Sequence, residues 1–451
     1  MERWLKRSST GAAVAALLAV AACRGALTRQ PAPPTIRVET LPVDTMPPAM
    51  PGDTTFPTMP APARPLTSQG ALLRIALSTA AGTPRLSATG RWHLSTLDGS
   101  PLASGAAGES WSVEPARGGL RAERDDASTR TDDVAAIVAA PLERGALLRY
   151  NGRRYRGELV MYLTDRGVLT VNRVGVEDYL RGVVPLEIGE RAPGERAAVE
   201  AQAVAARSYA YSHLGARGAR YDMLATVEDQ VYGGVEAERS LSDIAVASTA
   251  GLVLKFRGRI ASTPYHSTCG GSTAEPGEVW SGESTSPYLQ RVSDRIPGTD
   301  RFYCDGSPRF KWTREMTGDA IAASLDRYLR GRGNRASVGR IRDLRIDSHT
   351  ASGRVAVLVI ETDAGARRLR GNEVRYALRN AGGDILNSTY FSIDVGDRAG
   401  EYISSVTLRG GGNGHGIGMC QWGAIGRARA GQDVRAILRT YYPGTSVGSV
   451  D

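Results

Sequence analysis

Residues 195–213 read ERAAVEAQAVAARSYAYSH, and Ala holds seven of these positions. Pro193-Gly194 precede the run, Glu195 stands at its start and Gly215 follows it, a start and a stop that predict one helix. Val199, Ala203, Ala206 and Ala210 recur at i, i+4, i+7 and i+11, so they share a face. Side chains this small let a sheet or a second helix approach very closely. The helix is therefore expected to be a central, buried scaffold with the rest of the chain packed around it.

The surrounding sequence reads largely as strands. LLRIAL (72–77), GRWHLST (90–96), ALLRY (146–150), GELVMYL (157–163) and VLTVNRV (168–174) alternate between Gly, Asp and Asn turns. Strand-like runs resume at 251–256, 354–360 and 402–408, and helical ones lie at 318–331, 421–430 and 434–441. Residues 121–135 are charged and polar and read as a loop. Strands and helices are segregated rather than alternating, which predicts an α+β class. The expected architecture is a strand-rich single unit around the buried Ala-rich helix, with a β-rich N-terminal part at 70–154 and the main domain at 155–451. A chain of 451 residues is long enough for two or three domains and a sizeable core.

The N-terminus predicts export. Arg3, Lys6 and Arg7 precede GAAVAALLAVAA (11–22), an apolar run too short for a stable membrane span. The run ends Val20-Ala21-Ala22-Cys23, which is similar to a bacterial lipoprotein cleavage site, so residues 1–22 are expected to leave and Cys23 to be acylated. An ordinary signal peptide, with Cys23 incidental, is the alternative. Residues 31–65 hold eleven Pro and predict an extended spacer, placing a linker at 23–69. The net charge is +9; residues 1–22 carry Arg3, Lys6, Arg7 and Glu2, so their removal leaves +7. That mild excess suits an anionic cell-wall or lipid surface. No basic run with interleaved aromatics is present, which argues against nucleic acid.

The densest chemistry lies at 412–424, GNGHGIGMCQWGA, where Gly alternates with Asn413, His415 and other side chains. Such a backbone is built for φ > 0 or for close approach. It matches neither phosphate-binding glycine pattern, which excludes nucleotide binding. Cys420 behind this loop opens a helix, where a thiol is activated, and His415 lies near, so a Cys/His amidase is one reading and a small buried Cys the other. Glu187, in VVPLEIGE (183–190), follows an apolar strand and Pro185. Its apolar surroundings would raise its pKa, as a general acid needs; a solvated loop carboxylate is the alternative, and Glu190 and Glu195 are rivals. His266 and Cys269 have H-x-x-C spacing, and Cys304 follows in FYCDG. A Cys269–Cys304 disulfide is the plainer account, and zinc on His266, Cys269 and Cys304, with His415 or Cys420 completing the set, the other.

Taken in order, YRGEL (155–159), LTVNRVGVEDYLRGVVPLEIG (169–189), AVEAQAVAARSYAY (198–211), DQVYGG (229–234), PYHSTCGGST (264–273) and GHGIGMCQWGAIGRARAG (414–431) resemble the stage II sporulation protein D family, also called SpoIID/LytB. The resemblance covers roughly 155–447. It implies a peptidoglycan lytic transglycosylase that cleaves glycan strands, with Glu187 as the catalytic acid. It also implies substrate-binding positions at Arg207, Gln230, Tyr232, His266, Ser267, His415 and Gln421. Some members are amidase enhancers, which implies a glycan-binding protein without catalysis as the alternative, with a cell-wall amidase as partner. Ser is usual where this chain has Cys420, which argues against an obligate thiolate. No cofactor is required for the implied chemistry, and zinc stays an alternative.

Overall fold

The computed structural model describes residues 71–280 and 286–450. The expected signal peptide (1–22), the linker (23–69) and Cys23 lie outside the described residues. Eight helices are described: α1 (Val176–Ile188), α2 (Arg196–Ser212), α3 (Ser240–Ser248), α4 (Pro276–Val279), α5 (Gly318–Arg330), α6 (Glu373–Ala377), α7 (Gln421–Arg429) and α8 (Val434–Tyr441). With numerous strands and no closed barrel, the class is α+β and strand-rich.

A seven-stranded sheet runs Met223–Leu224, Leu72–Ala81, Gly167–Gly175, Glu158–Thr164, Ala136–Pro141, Trp92–Ser95, Pro101–Gly105. Its neighbours are antiparallel except for the parallel pair formed by Met223–Leu224 and Leu72–Ala81. Strands from before and after residue 155 thus share one sheet. A five-stranded sheet of Gly119–Arg124, Trp111–Ala116, Arg85–Ala88, Leu148–Tyr150 and Arg153–Tyr155 packs with it around Trp92, Trp111 and Leu120. The charged run expected as a loop therefore begins as a strand, because Leu120 and Ala122 alternate inward between Arg121 and Glu123.

Helix α2 is the scaffold its composition predicts. Eleven of its residues are buried, on every side, and α1, α3, α7, α8 and the strand Leu252–Phe256 pack around it. A helix enclosed on all faces needs small side chains if five neighbours are to reach it.

Helix α1 departs from expectation. Glu187 was expected just after an apolar strand and Pro185, whose missing N–H and ring disfavour a helix interior. The chain instead stays helical through Ile188, with Pro185 in the last turn. Burial of Tyr179, Leu180, Val183, Val184 and Ile188 on α2 offsets the one lost hydrogen bond. Gly189, at φ 76°, then ends the helix, and its N–H bonds the Pro185 carbonyl at 3.0 Å. This places Glu187 on a terminal turn, partly exposed.

A second hydrophobic core, including Ile321, Leu325, Leu344, Leu358, Val374 and Leu408, lies within 316–408. It is enclosed by α5, α6 and two three-stranded sheets. No described helix is long and apolar enough to cross a membrane.

Candidate active site

The glycine loop is geometrically required. Gly412, Gly414, Gly416 and Gly418 have φ of 80°, 112°, 90° and 68°, alternating with ordinary residues. A Cβ at 414 would stand 2.7 Å from the His266 Cβ, one at 416 would stand 2.6 Å from the Arg354 guanidinium carbon, and one at 418 would overlap the Pro264 carbonyl. Both backbone sign and space exclude larger residues there. The loop threads past residues 264–268, where Asn413 and Thr268 exchange backbone bonds and Met419–Cys420 pairs in parallel with Tyr265–His266. Gln421 thereby begins α7 beside Glu187.

The Val231 N–H donates to Oε1 of Glu187 at 2.9 Å, and the side chains of Gln421 and Tyr265 stand close enough to favour its charged form. Loss of hydration nonetheless outweighs these contacts and pushes its pKa up to about 7. Among the described residues, no carboxylate is one of its hydrogen-bond partners. A chain of bonds backs this site: Tyr179 Oη donates to Gln230 Oε1 (3.1 Å), and Gln230 Nε2 donates to Tyr265 Oη (2.8 Å) and to the Ala206 carbonyl (3.3 Å). Burial holds the Tyr265 phenol well above its usual pKa, so it stays a donor. Gln421 Nε2 donates to Gln202 Oε1 of α2 at 3.2 Å.

The rival acids have other roles. Glu190 is exposed. Glu195 sits at the start of α2 where burial raises its pKa, but the Ala192 N–H and Arg429, 2.6 Å away, hold it below the carboxylate norm.

Several positions expected to touch substrate are buried, Arg207 and Tyr232 among them. Arg207 is fully buried; its Nε and Nη2 grip Glu177 at 2.7 and 2.6 Å, and its remaining donors reach the Leu252 and Val246 carbonyls. Tyr232 is buried too, its hydroxyl donating to Asn172 Oδ1 at 2.9 Å and its ring packed on Tyr179 and Tyr155. Gln230 lies one layer behind Glu187. Gln421 contacts it directly, while Ser267, Trp422 and His415 are partly exposed in the adjoining segments.

Both His are tied to the backbone of neighbouring segments. His415 donates from Nε2 to the Tyr265 carbonyl (2.8 Å) and accepts the Ile417 N–H on Nδ1 (3.1 Å). Burial, with help from neighbouring His266 and Arg375, pushes it well below the usual imidazole pKa. Burial likewise lowers His266, whose Nδ1 donates to the Ile417 carbonyl at 3.1 Å. His415 also lies 5.3 Å, ring centre to ring centre, from partly exposed Trp280. Cys420 is fully buried, so a Cys420–His415 nucleophile pair is not assembled.

The expected disulfide is absent. Cys269, Cys304 and Cys420 are free, and the Cys269 and Cys304 sulfurs stand 3.5 Å apart. The expected metal set changes as well: Cys269, Cys304 and Cys420 lie together as one of the expected sets had them, but Asp294 stands in place of His266. Asp294 closes SPYLQRVSD (286–294), a run that also resembles the family, but no ligand role follows from it in the sequence. Tyr265 was equally hidden, although it stands beside His266 in the YHS run.

Comparison with known proteins fits this geometry. The stage II sporulation protein family profile matches residues 164–256, and a domain of unknown function (DUF8618) matches 289–418, which spans most of the second core. An uncharacterized protein of Brachyspira hyodysenteriae is 30% identical over 299 residues, 66% of this chain and 73% of its own. The amidase enhancer of Bacillus subtilis is 30% identical over 311 residues, 60% of this chain but 40% of the relative. The stage II sporulation protein D of the same organism is 30% identical over 298 residues, 62% of this chain and 77% of the relative. The matched segment carries Glu187, the carboxyl that the geometry sets apart, and with the likeness extending over most of that last relative, the chain belongs to the stage II sporulation protein D family.

Proposed function

We propose that this protein is an exported peptidoglycan lytic transglycosylase, held at the membrane through an acylated Cys23 and acting on glycan strands through Glu187. The supporting observation is a partly exposed carboxyl poised near pKa 7 to which, among the described residues, no second carboxyl is hydrogen-bonded. Hydrolysis of a glycosidic bond ordinarily uses two carboxyl groups. One suffices when the substrate supplies the nucleophile. In the first half, protonated Glu187 gives its proton to the glycosidic oxygen as the bond from C1 of N-acetylmuramic acid breaks. Because Oε1 accepts the Val231 N–H, the proton rides on Oε2. In the second half the carboxylate takes the proton of the C6 hydroxyl of the same sugar, and O6 closes on C1. The products are a 1,6-anhydro end and a free sugar hydroxyl, and Glu187 is again protonated. The Val231 N–H holds the carboxyl in place through both halves, with Tyr265 and Gln421 beside it.

The test is mass spectrometry of peptide-stripped glycan strands incubated with the purified protein. Anhydro ends are expected. Reducing ends would make it a hydrolase. Intact strands would favour the second reading, a glycan-binding partner of a cell-wall amidase, for which the Bacillus subtilis amidase enhancer is the supporting relative.

The carboxyl also sets a pH profile. The acid form starts the reaction, so kcat/KM should fall as pH rises through about 7, by ~10-fold per unit above it. A rate that climbs steadily from pH 6 to 9 would contradict a Glu187 acid.

A further inference from the structure

The geometry points to a buried, structural zinc centre formed by the sulfurs of Cys269, Cys304 and Cys420 and one carboxylate oxygen of Asp294. These four ligand atoms lie within 4.8 Å of one another. A tetrahedral zinc with Zn–S near 2.3 Å separates its sulfurs by about 3.8 Å. The Cys269 and Cys304 sulfurs are 3.5 Å apart, and Cys269 Sγ is 3.8 Å from Asp294 Oδ2. The cluster therefore has the span of a closed coordination shell. All four residues are 0–1% exposed, which leaves no open position for substrate or a reactive water.

The surrounding bonds are those a thiolate site needs. The Gly271 N–H points at Cys269 Sγ (3.4 Å), two residues on, and the Cys269 and Gly423 N–H groups point at Cys420 Sγ (3.1 and 3.3 Å). Asp294 uses its other oxygen, Oδ1, to accept from Tyr441 Oη (2.8 Å) and Arg427 Nη2 (3.1 Å), which fixes Oδ2 toward the sulfurs. Such outer bonds orient ligands and stabilise their anionic forms. Charge supplies an independent sign. Three thiolates and a carboxylate with Zn²⁺ carry a net −2, and two buried guanidiniums flank the cluster. Arg427 is one. Arg354 is the other, bonded to the Cys269 carbonyl at 3.0 Å and holding Nε and Nη1 with no hydrogen-bond partner. A buried cation with unpaired N–H groups is costly unless an anionic neighbour compensates it. Sulfur-rich tetrahedral sites select zinc among common divalent ions.

The ligands come from separate segments, and Cys420 immediately precedes Gln421. The metal would thus tie the 264–273 segment and the glycine loop together behind Glu187. It is a staple in a position where the chain has no disulfide.

The test is metal analysis of the full chain, purified without chelator or reductant. One zinc per chain is expected, with Cys269, Cys304 and Cys420 unbridged in non-reducing peptide maps. Cobalt exchanged into the protein should show a thiolate charge-transfer band and the intense visible bands of tetrahedral coordination. Cys304→Ser and Asp294→Ala should each lower bound zinc at least ~10-fold, and Asp294→Cys should restore it to a Cys₃ site given a fourth thiolate. A strong chelator should lower Tm of the wild type and not of Cys304→Ser. Should Cys304→Ser fail to fold, the wild-type stoichiometry and the cobalt spectrum still decide. A Cys269–Cys304 disulfide without metal, or three free thiols without metal, would overturn the assignment.

Discussion

Replacing Glu187 by Gln should abolish glycan cleavage and at the same time stabilise the folded chain. The swap keeps the side chain's size and its contacts with Val231, Tyr265 and Gln421, but it removes the transferable proton. A general acid is worth ~10²-fold or more, so turnover should fall by at least that factor. The stability effect follows from the raised pKa, about 7 in the fold against an ordinary 4.5. The folded state binds this proton more tightly than the unfolded chain does. The benefit is complete below pH 4.5 and is lost as pH rises to about 7, where a charged carboxylate must be kept in a poorly hydrated place. The Gln variant does not titrate. Its stability advantage should therefore grow between pH 4.5 and 7.5, reaching about 1–2 kcal/mol after allowance for the water that reaches this partly exposed residue, and raise its Tm accordingly. Thermal melts at both pH values read it directly. A variant that turns over normally would remove Glu187 from the chemistry, and one that unfolds would make it structural.

Arg207→Met should destabilise the protein by ~3–5 kcal/mol, because it strands Glu177 without its partner. Arg207 is fully enclosed within α2, and its two short bonds to Glu177 tie α2 to the first turn of α1. Glu177 in turn accepts the Gly251 N–H at 3.2 Å, joining the strand that follows α3. Pairing Arg207→Met with Glu177→Leu should recover much of the loss, since neither charge is then left alone. Denaturant melts of the single and double variants measure both effects. KM for glycan should stay unchanged in the folded fraction; a raised KM with unaltered stability would return Arg207 to the substrate-binding surface.

These two residues show where reading the sequence succeeds and stops. The Ala-rich run determined α2 and its burial, because helix caps and small side chains act within one segment. Alternating apolar residues likewise marked most strands of the seven-stranded sheet, and the glycine spacing marked a loop whose φ angles other residues resist. Glu187 was legible as a carboxyl among apolar neighbours, and the family motif singled it out. Its helical setting was not, because Pro185 predicts a break locally and only packing of α1 on α2 overrides it. Arg207 and Tyr232 sit in the same motifs as Glu187, yet a motif states which residues travel together and not which of them face solvent. That was decided by Glu177 and Asn172, 30 and 60 residues away in the chain. The Gln421–Gln202 bond spans 219 residues and the Cys269–Cys420 contact spans 151. Three dispersed cysteines read as an odd count with one plain pairing. Only the tertiary fold, by pressing the glycine loop against residues 264–273, brings the third sulfur and the Asp294 carboxylate into the same few ångströms.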